Sequence, residues 1–367
     1  MSNLCIPSTG AWRRWAVAFT VAMLAACGGS DDDNEADRAD DPQPTANAQM
    51  KAVLDELGAL GAKPINTLTV AQARSQPTPA DAVRSLLVKQ GRSTAPEPVG
   101  SVEDRVIASA AGPIPIRIYK PAAPAAGPRP SLLYIHGGGW VIATLDTYDA
   151  SARALANAAG AIVVSTDYRR APEFAFPAAH EDTYAAWKWL LANAVSLGGS
   201  ARQIAVVGES AGGNMAASIA RRARDDSIQA PVHQGLVYPV VSAELNRPSH
   251  QQNRDALPLN TASLIWFFDR YLPSAAQRSD PRFNLLGVAS LAGLAPTTLI
   301  SADIDPLRSE GRLYAESLSA AGVAVDWAKY EGVTHEFFGM GAVLDEARAA
   351  VQRVADGLKA SYARVGP

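Results

Sequence analysis

The stretch Gln203-Ile204-Ala205-Val206-Val207-Gly208-Glu209-Ser210-Ala211-Gly212 decides how this chain is read. A short apolar, strand-like run passes directly into G-x-S-x-G, the sharp strand-to-helix turn that lifts a serine hydroxyl above the end of a sheet. Gly208 and Gly212 permit the tight backbone and the close helix-on-strand packing such a turn needs. Earlier, the apolar run Ser131 to Ile135 leads straight into His136-Gly137-Gly138-Gly139. There, backbone N–H groups can be aimed at a developing oxyanion without a Cβ in the way. Both motifs, in this order and each after a strand, point to a serine hydrolase.

The surrounding pattern extends that reading. Val102 to Ser109 and Ile114 to Tyr119 alternate like strands about the turn Gly112-Pro113. Ala161 to Thr166 is a buried strand, His180 to Ala194 an amphipathic helix, and Ala211 to Arg224 the helix after the serine. Gly235 to Val241, Thr297 to Ala302 and Val323 to Tyr330 supply three later strands. Such alternation predicts an α/β fold with a mostly parallel sheet covered by helices on both faces. Ser242 to Leu294 breaks the rhythm and carries its own apolar run, Ile265-Trp266-Phe267-Phe268. With the helical spacing of Met50, Val53, Leu54, Leu57 and Leu60, and a second short helix over 82–90, it predicts a cap from about 50–95 and 242–294.

A serine hydroxyl needs an adjacent base, and in such folds the partners follow in the order Ser, Asp or Glu, His. Of the five histidines, His136 and His180 precede Ser210, His233 comes before any later strand end, and His250 lies in the cap. His335 alone follows both an acid-bearing turn and a late strand, in an expected loop over 331–337. For the acid, Pro306 disfavours helical geometry at Asp305 and presents it at a loop tip. Asp303, two residues nearer the strand, remains the rival, whereas Asp326 alternates within a strand and reads as a solvent-face residue. The acid's work would be to accept the imidazole Nδ1–H and stabilise the imidazolium. Gly137, Gly138 and Gly139 with Ala211 would supply the oxyanion donors. Trp140 reads as either the floor of an acyl pocket or a structural indole, and Glu209 as a group that orients the turn.

The N-terminus reads as targeting sequence. Arg13 and Arg14 precede the apolar stretch from Trp15 to Ala26, of signal-peptide size and shorter than the roughly 20 residues a spanning helix needs. It ends in Leu24-Ala25-Ala26-Cys27-Gly28, similar to the lipobox of bacterial lipoproteins, so residues 1–27 are expected to be a signal with Cys27 lipidated. The twin arginines leave the export route open. Cys5 lies in the removed part, which leaves no pair for a disulfide. Seven carboxylates and one arginine between Asp31 and Asp41 make 28–49 an acidic linker expected to be disordered. The chain of 367 residues has a net charge of −3, and the part outside the signal arginines and this stretch carries +1. It offers no basic field for nucleic acid. No zinc-protease, phosphate-loop or dinucleotide motif is present, so no metal or cofactor is implied.

With these residues in place, the chain resembles the bacterial hormone-sensitive-lipase-like esterases, family IV of the lipolytic enzymes. The resemblance is carried by HGGGW (136–140), DYRRAPE (167–173), FPAAHED (176–182), GESAGGN (208–214), YP (238–239), WFFDRYL (266–272), DPLRSEG (305–311) and His335 before Glu336-Phe337. It implies an α/β-hydrolase fold over 50–367 with an eight-stranded sheet and a helical cap. It further implies Ser210, Asp305 and His335 as a triad, and Gly138, Gly139 and Ala211 as the oxyanion hole. Glu209 and Glu336 depart from the family's usual residues, which bears on substrate range. The expected function is a serine carboxylesterase for short- to medium-chain esters, exported and anchored in the cell envelope by its lipid. A polysaccharide deacetylase or an amide or lactone hydrolase on the same triad, and a non-catalytic binding protein, are the alternatives. The small-molecule ester is the expected partner, and the motifs leave monomer and dimer open.

Overall fold

The computed structural model describes residues 43–366. The expected signal peptide, its lipidated Cys27 and residues 28–42 of the expected linker lie outside the described residues.

Eight strands form one sheet: β1 (Ser101–Ser109), β2 (Gly112–Lys120), β3 (Arg129–Ile135), β4 (Ile162–Thr166), β5 (Gly199–Glu209), β6 (Gln234–Val237), β7 (Thr297–Ile304) and β8 (Val325–Thr334). Their order is β1-β2-β4-β3-β5-β6-β7-β8. The hairpin of β1 and β2 joins β4 antiparallel, and every later pairing is parallel. Buried Val, Ile and Leu fill β3, β4 and the C-terminal half of β5, as strands covered on both faces require. The eight-stranded, mostly parallel sheet is therefore the one expected.

The helices are α1 (Ala48–Ala59), α2 (Val70–Ser75), α3 (Pro79–Lys89), α4 (Asp149–Ala159), α5 (Ala178–Asn193), α6 (Ala211–Asp225), α7 (Pro248–Gln252), α8 (Thr261–Tyr271), α9 (Ala275–Arg278), α10 (Arg308–Ala320) and α11 (Asp345–Val365). Two apolar cores flank the sheet. One joins Ile116, Leu133, Val164 and Val206 to Trp187, Met215 and the aromatic face of α8. The other joins Tyr134, Val163 and Val207 to Leu155, Val351 and Leu358 of α4 and α11, and to α1.

Some boundaries differ from those expected. The packed part includes residues before 50: the Asn47 side chain caps α1, its N–H donates to Gly332 O at 2.9 Å, and its amide reaches Glu346. Strand β8 runs on to Thr334, so His335 hangs directly from a strand end and not from a loop that opens at 331. Strand β6 stops at Val237, four residues early, because the chain must turn at Tyr238-Pro239. Helix α4 went unread, since its N-cap, Tyr148, has no capping side chain and its sequence is largely alanine.

The cap is two separate pieces, α1 to α3 and α7 to α9. They are stitched together by the Trp266 indole N–H, which donates to Leu68 O at 3.0 Å. Thr69 and Thr78 each close a capping box on the short helices α2 and α3, which makes two such brief segments hold.

Candidate active site

Ser210 sits between the end of β5 and the start of α6 with φ 55° and ψ −117°, a strained conformation for any residue with a Cβ. The glycines around it are there for contact. A Cβ on Gly212 would run into the carbonyl oxygens of Ile135 and His136, and one on Gly208 into the Gly212 carbonyl. Helix α6 can press onto β3 and β5 only without those atoms.

His335 follows β8 and Asp305 follows β7, so three strand ends deliver three side chains to one point. Ser210 Oγ lies 2.9 Å from His335 Nε2, and His335 Nδ1 lies 2.7 Å from Asp305 Oδ2. Asp305 can only accept, so Nδ1 carries the proton and Nε2 faces the serine hydroxyl as an acceptor. The second Asp305 oxygen accepts from Leu307 N–H at 2.8 Å, which fixes the carboxylate plane. All three residues are buried. Burial alone would lower the His335 pKa, but the Asp305 charge and hydrogen bond, helped by Glu336 and Glu209, outweigh it and raise it above the usual imidazole value.

The rival acid is engaged elsewhere. Asp303 pairs with Arg308 at 3.1 Å and has Lys329 at 3.6 Å, both away from the imidazole. Asp326 pairs with Arg353 on the surface.

The glycine loop lies against the serine. Gly138 and Gly139 have φ of 90° and 56°, and side chains on them would strike Ile142 and the Phe267 ring. Among the described residues, neither of their N–H groups donates to a protein acceptor. The Ala211 N–H opens α6, where the first-turn donors have no intrahelical partner and the helix dipole favours negative charge. Gly137 serves packing as well: its missing Cβ makes room for the Tyr148 hydroxyl and Ser210 Cβ. His136 is not in the reacting chain. Its ring stacks on Tyr168 at 4.4 Å, and Tyr168 Oη donates to the Gly137 carbonyl at 2.8 Å, so the pair braces the loop.

Behind the reacting groups stand Glu209 and Trp140, whose roles the sequence suggested, and Asn214, to which it assigned none. Glu209 receives hydrogen bonds from the hydroxyls of Tyr134 and Tyr238, and the Tyr238 ring packs, tilted, 4.4 Å from that of His335. Burial pushes the Glu209 pKa up to about 7 against the lowering effect of the two phenols. Asn214, the last residue of GESAGGN, donates to Val240 O at 3.0 Å and to Phe283 O at 2.8 Å, tying α6 to the cap insert. Its carbonyl therefore accepts from His180 Nε2 at 2.9 Å, while His180 Nδ1 accepts from Tyr271 Oη. Burial drives the His180 pKa down to about 4, so it stays neutral in this array. Trp140 combines both of its readings: it is buried, stacked on Tyr271 at 4.7 Å, and lines the cavity above the serine.

That cavity has a volume of about 300 Å³. Ser210, His335 and Gly139 stand at its floor, Leu57 and Ile65 of the first cap piece on one wall, and Leu264 and Phe267 of the second on another. Among the described residues, no group of three or more His, Cys, Asp or Glu side chains could hold a metal. The arrangement can perform acyl transfer: a nucleophile with its base, an acid behind the base, and free N–H donors beside the nucleophile.

Comparison with known proteins agrees with the geometry. A family model described as alpha/beta hydrolase fold matches residues 132–339. The chain is 39% identical over 250 residues to an ethyl acetate hydrolase of Pseudomonas putida, and 42% over 250 residues to the carboxylesterase NlhH of Mycobacterium tuberculosis. Each match covers 67% of this chain and 78% of the relative. Among solved structures, a hyperthermophilic esterase from the archaeon Pyrobaculum calidifontis superposes with a TM-score of 0.77. It is 35% identical, over 88% of this chain and 100% of that one.

Proposed function

The chain belongs to the alpha/beta hydrolase fold family and is a carboxylic ester hydrolase, and on that premise we propose how its own residues perform the reaction. Ser210 Oγ attacks the ester carbonyl carbon as its proton passes to His335 Nε2. The charge that develops on the carbonyl oxygen is taken by the N–H groups of Gly138, Gly139 and Ala211, with Gly137 completing the loop. Asp305 holds the imidazole in its tautomer and stabilises the imidazolium. The Nε2 proton then goes to the departing alcohol oxygen, leaving an acyl group on Ser210. Water, deprotonated by the same nitrogen, attacks that acyl carbon, and the carboxylic acid leaves as Ser210 recovers its proton.

The observation that carries this reading is the hydrogen-bonded chain Ser210–His335–Asp305, at 2.9 and 2.7 Å, at the bottom of a largely apolar cavity. The cavity's size supports short to medium acyl groups, since each added methylene must find room under the cap. Hydrolysis of p-nitrophenyl esters from acetate to laurate by wild type and Ser210→Ala tests both points. The expected result is a rate maximum at butyrate to hexanoate and at least a roughly thousandfold loss in the variant. A variant within tenfold of wild type, or a maximum at laurate, overturns the corresponding part.

We further propose that the chain is made as a bacterial, envelope-anchored lipoprotein with Cys27 acylated. The support is the run Leu24-Ala25-Ala26-Cys27 after an apolar stretch of signal size and before an acidic segment. Cys27→Ala should move the enzyme from the membrane fraction to the soluble fraction. An unchanged distribution counts against the anchor.

A further inference from the structure

Glu336 stands where the reaction above has no need of a carboxylate. It follows His335 directly, with its backbone in the left-handed region at φ 73°. Glycine takes that conformation freely, but a glutamate only where its surroundings hold it. Tyr148 provides the hold: both Glu336 oxygens lie 2.7 Å from its buried hydroxyl. Burial, and then the Glu336 charge, push the Tyr148 pKa well above the usual phenol value, so the phenol keeps its proton and donates it. Tyr148 in turn rests against Gly137, where a Cβ would collide with its hydroxyl. The Tyr148–Glu336 pair is thus built into the wall that runs from the glycine loop to the base.

Its place relative to Nε2 decides which part of a substrate meets it. Glu336 Oε1 lies 3.8 Å from His335 Nε2 and lines the same cavity as Ser210. Nε2 hands its proton to the leaving alcohol oxygen, so that oxygen comes within hydrogen-bond reach of Nε2. Substituents one or two carbons further along the alcohol then pass the carboxylate. A carboxylate has about four acceptor positions, and the single Tyr148 proton fills one of them. Of the described residues lining the cavity, Glu336 is the one that carries a carboxylate.

We propose that Glu336 is a specificity-determining residue that accepts a hydrogen bond from a hydroxyl on the alcohol part of the ester. It selects glycol and glycerol monoesters over plain alkyl esters, and disfavours esters whose alcohol part is anionic. The proposal rests on the reading of His335 as the base that protonates the leaving group.

The test compares kcat/KM for 2-hydroxyethyl butyrate, its near-isostere propyl butyrate, and carboxymethyl butyrate, in wild type, Glu336→Gly and Glu336→Gln. The hydroxyethyl-to-propyl ratio should fall about tenfold in Glu336→Gly, as expected for loss of a hydrogen bond to a charged acceptor. The relative rate on the carboxymethyl ester should rise. Glu336→Gln keeps the shape and weakens the acceptor, so a severalfold fall is expected there and carries the test if the glycine variant does not fold. A ratio unchanged within twofold, or an equal loss on all three esters, overturns the proposal while leaving the esterase reading intact. A folded wild type that turns over none of the three sinks that reading, and this proposal with it.

Discussion

The floor and the roof of the cavity are built by different rules. Every reacting group on the floor hangs from a strand end, and its position is enforced by collisions: Gly208 and Gly212 are glycines because backbone oxygens occupy the space a side chain would take. The roof comes from two pieces of chain that add no strand to the sheet. A few polar contacts locate them, among them Trp266 to Leu68 O, Arg74 to Val141 O at 2.8 Å, and Asn214 to Phe283 O. Floor geometry therefore tolerates almost no change, whereas the roof can be reshaped at modest cost. The chemistry rests on the first, and the room left for the acyl chain on the second.

That contrast can be broken experimentally. The largest effect belongs to the floor: Asp305→Asn should cut kcat roughly ten-thousandfold with a small change in KM, because the imidazole loses the acceptor that fixes its tautomer. Steady-state kinetics on p-nitrophenyl butyrate measure it, and a loss under tenfold would mean that another acid supports His335. The roof should answer differently. Phe267 touches the cavity and packs against Gly139, so Phe267→Ala should raise KM about tenfold through lost apolar contact while kcat stays within about threefold. If kcat falls as far as in Asp305→Asn, floor and roof are not separable.

A third effect, read in stability and not in turnover, lies beneath the floor at Glu209. Its carboxyl titrates at about 7 in the folded protein against an ordinary 4.5. Between those values the folded state holds the extra proton, so stability declines as pH rises from 4.5 to 7, by up to roughly 3 kcal/mol from this group. Glu209→Gln should remove that part of the decline in urea-unfolding free energies measured from pH 4.5 to 7.5. Glu310, also buried and raised to about 8, would keep a remainder. An identical slope in the variant would show that Glu209 is not the titrating group.

The floor was largely legible in the sequence because its requirements are local. A strand, a glycine-flanked serine and a late histidine must appear in order, and Ser210, His335 and Asp305 do come together. The choice of Asp305 over Asp303 needed more than spacing. It rests in three dimensions on Arg308 and Lys329, which take up Asp303. The roof was legible in part, as helical spacing in α1 and α3 and as an interruption of rhythm after β6, since α2, α7 and α9 are too short to show a period. Tyr148 with Glu336, and Asn214 with Phe283, escaped notice because they join residues 188 and 69 positions apart, and no local pattern announces such a pair. Helix α4 was missed for lack of a capping signal, although Gly160 marks its end in the left-handed region.

The chain is pinned at Asn47, on the same strand that presents the base, while the cavity wall starts further on, at Leu54. Proteolytic clipping at any bond before Asn47 would therefore spare every wall residue. On the proposed lipid anchor at Cys27, a shed, freely diffusing form and a surface-held form would then share one turnover number, and differ only in where substrate must travel to meet them.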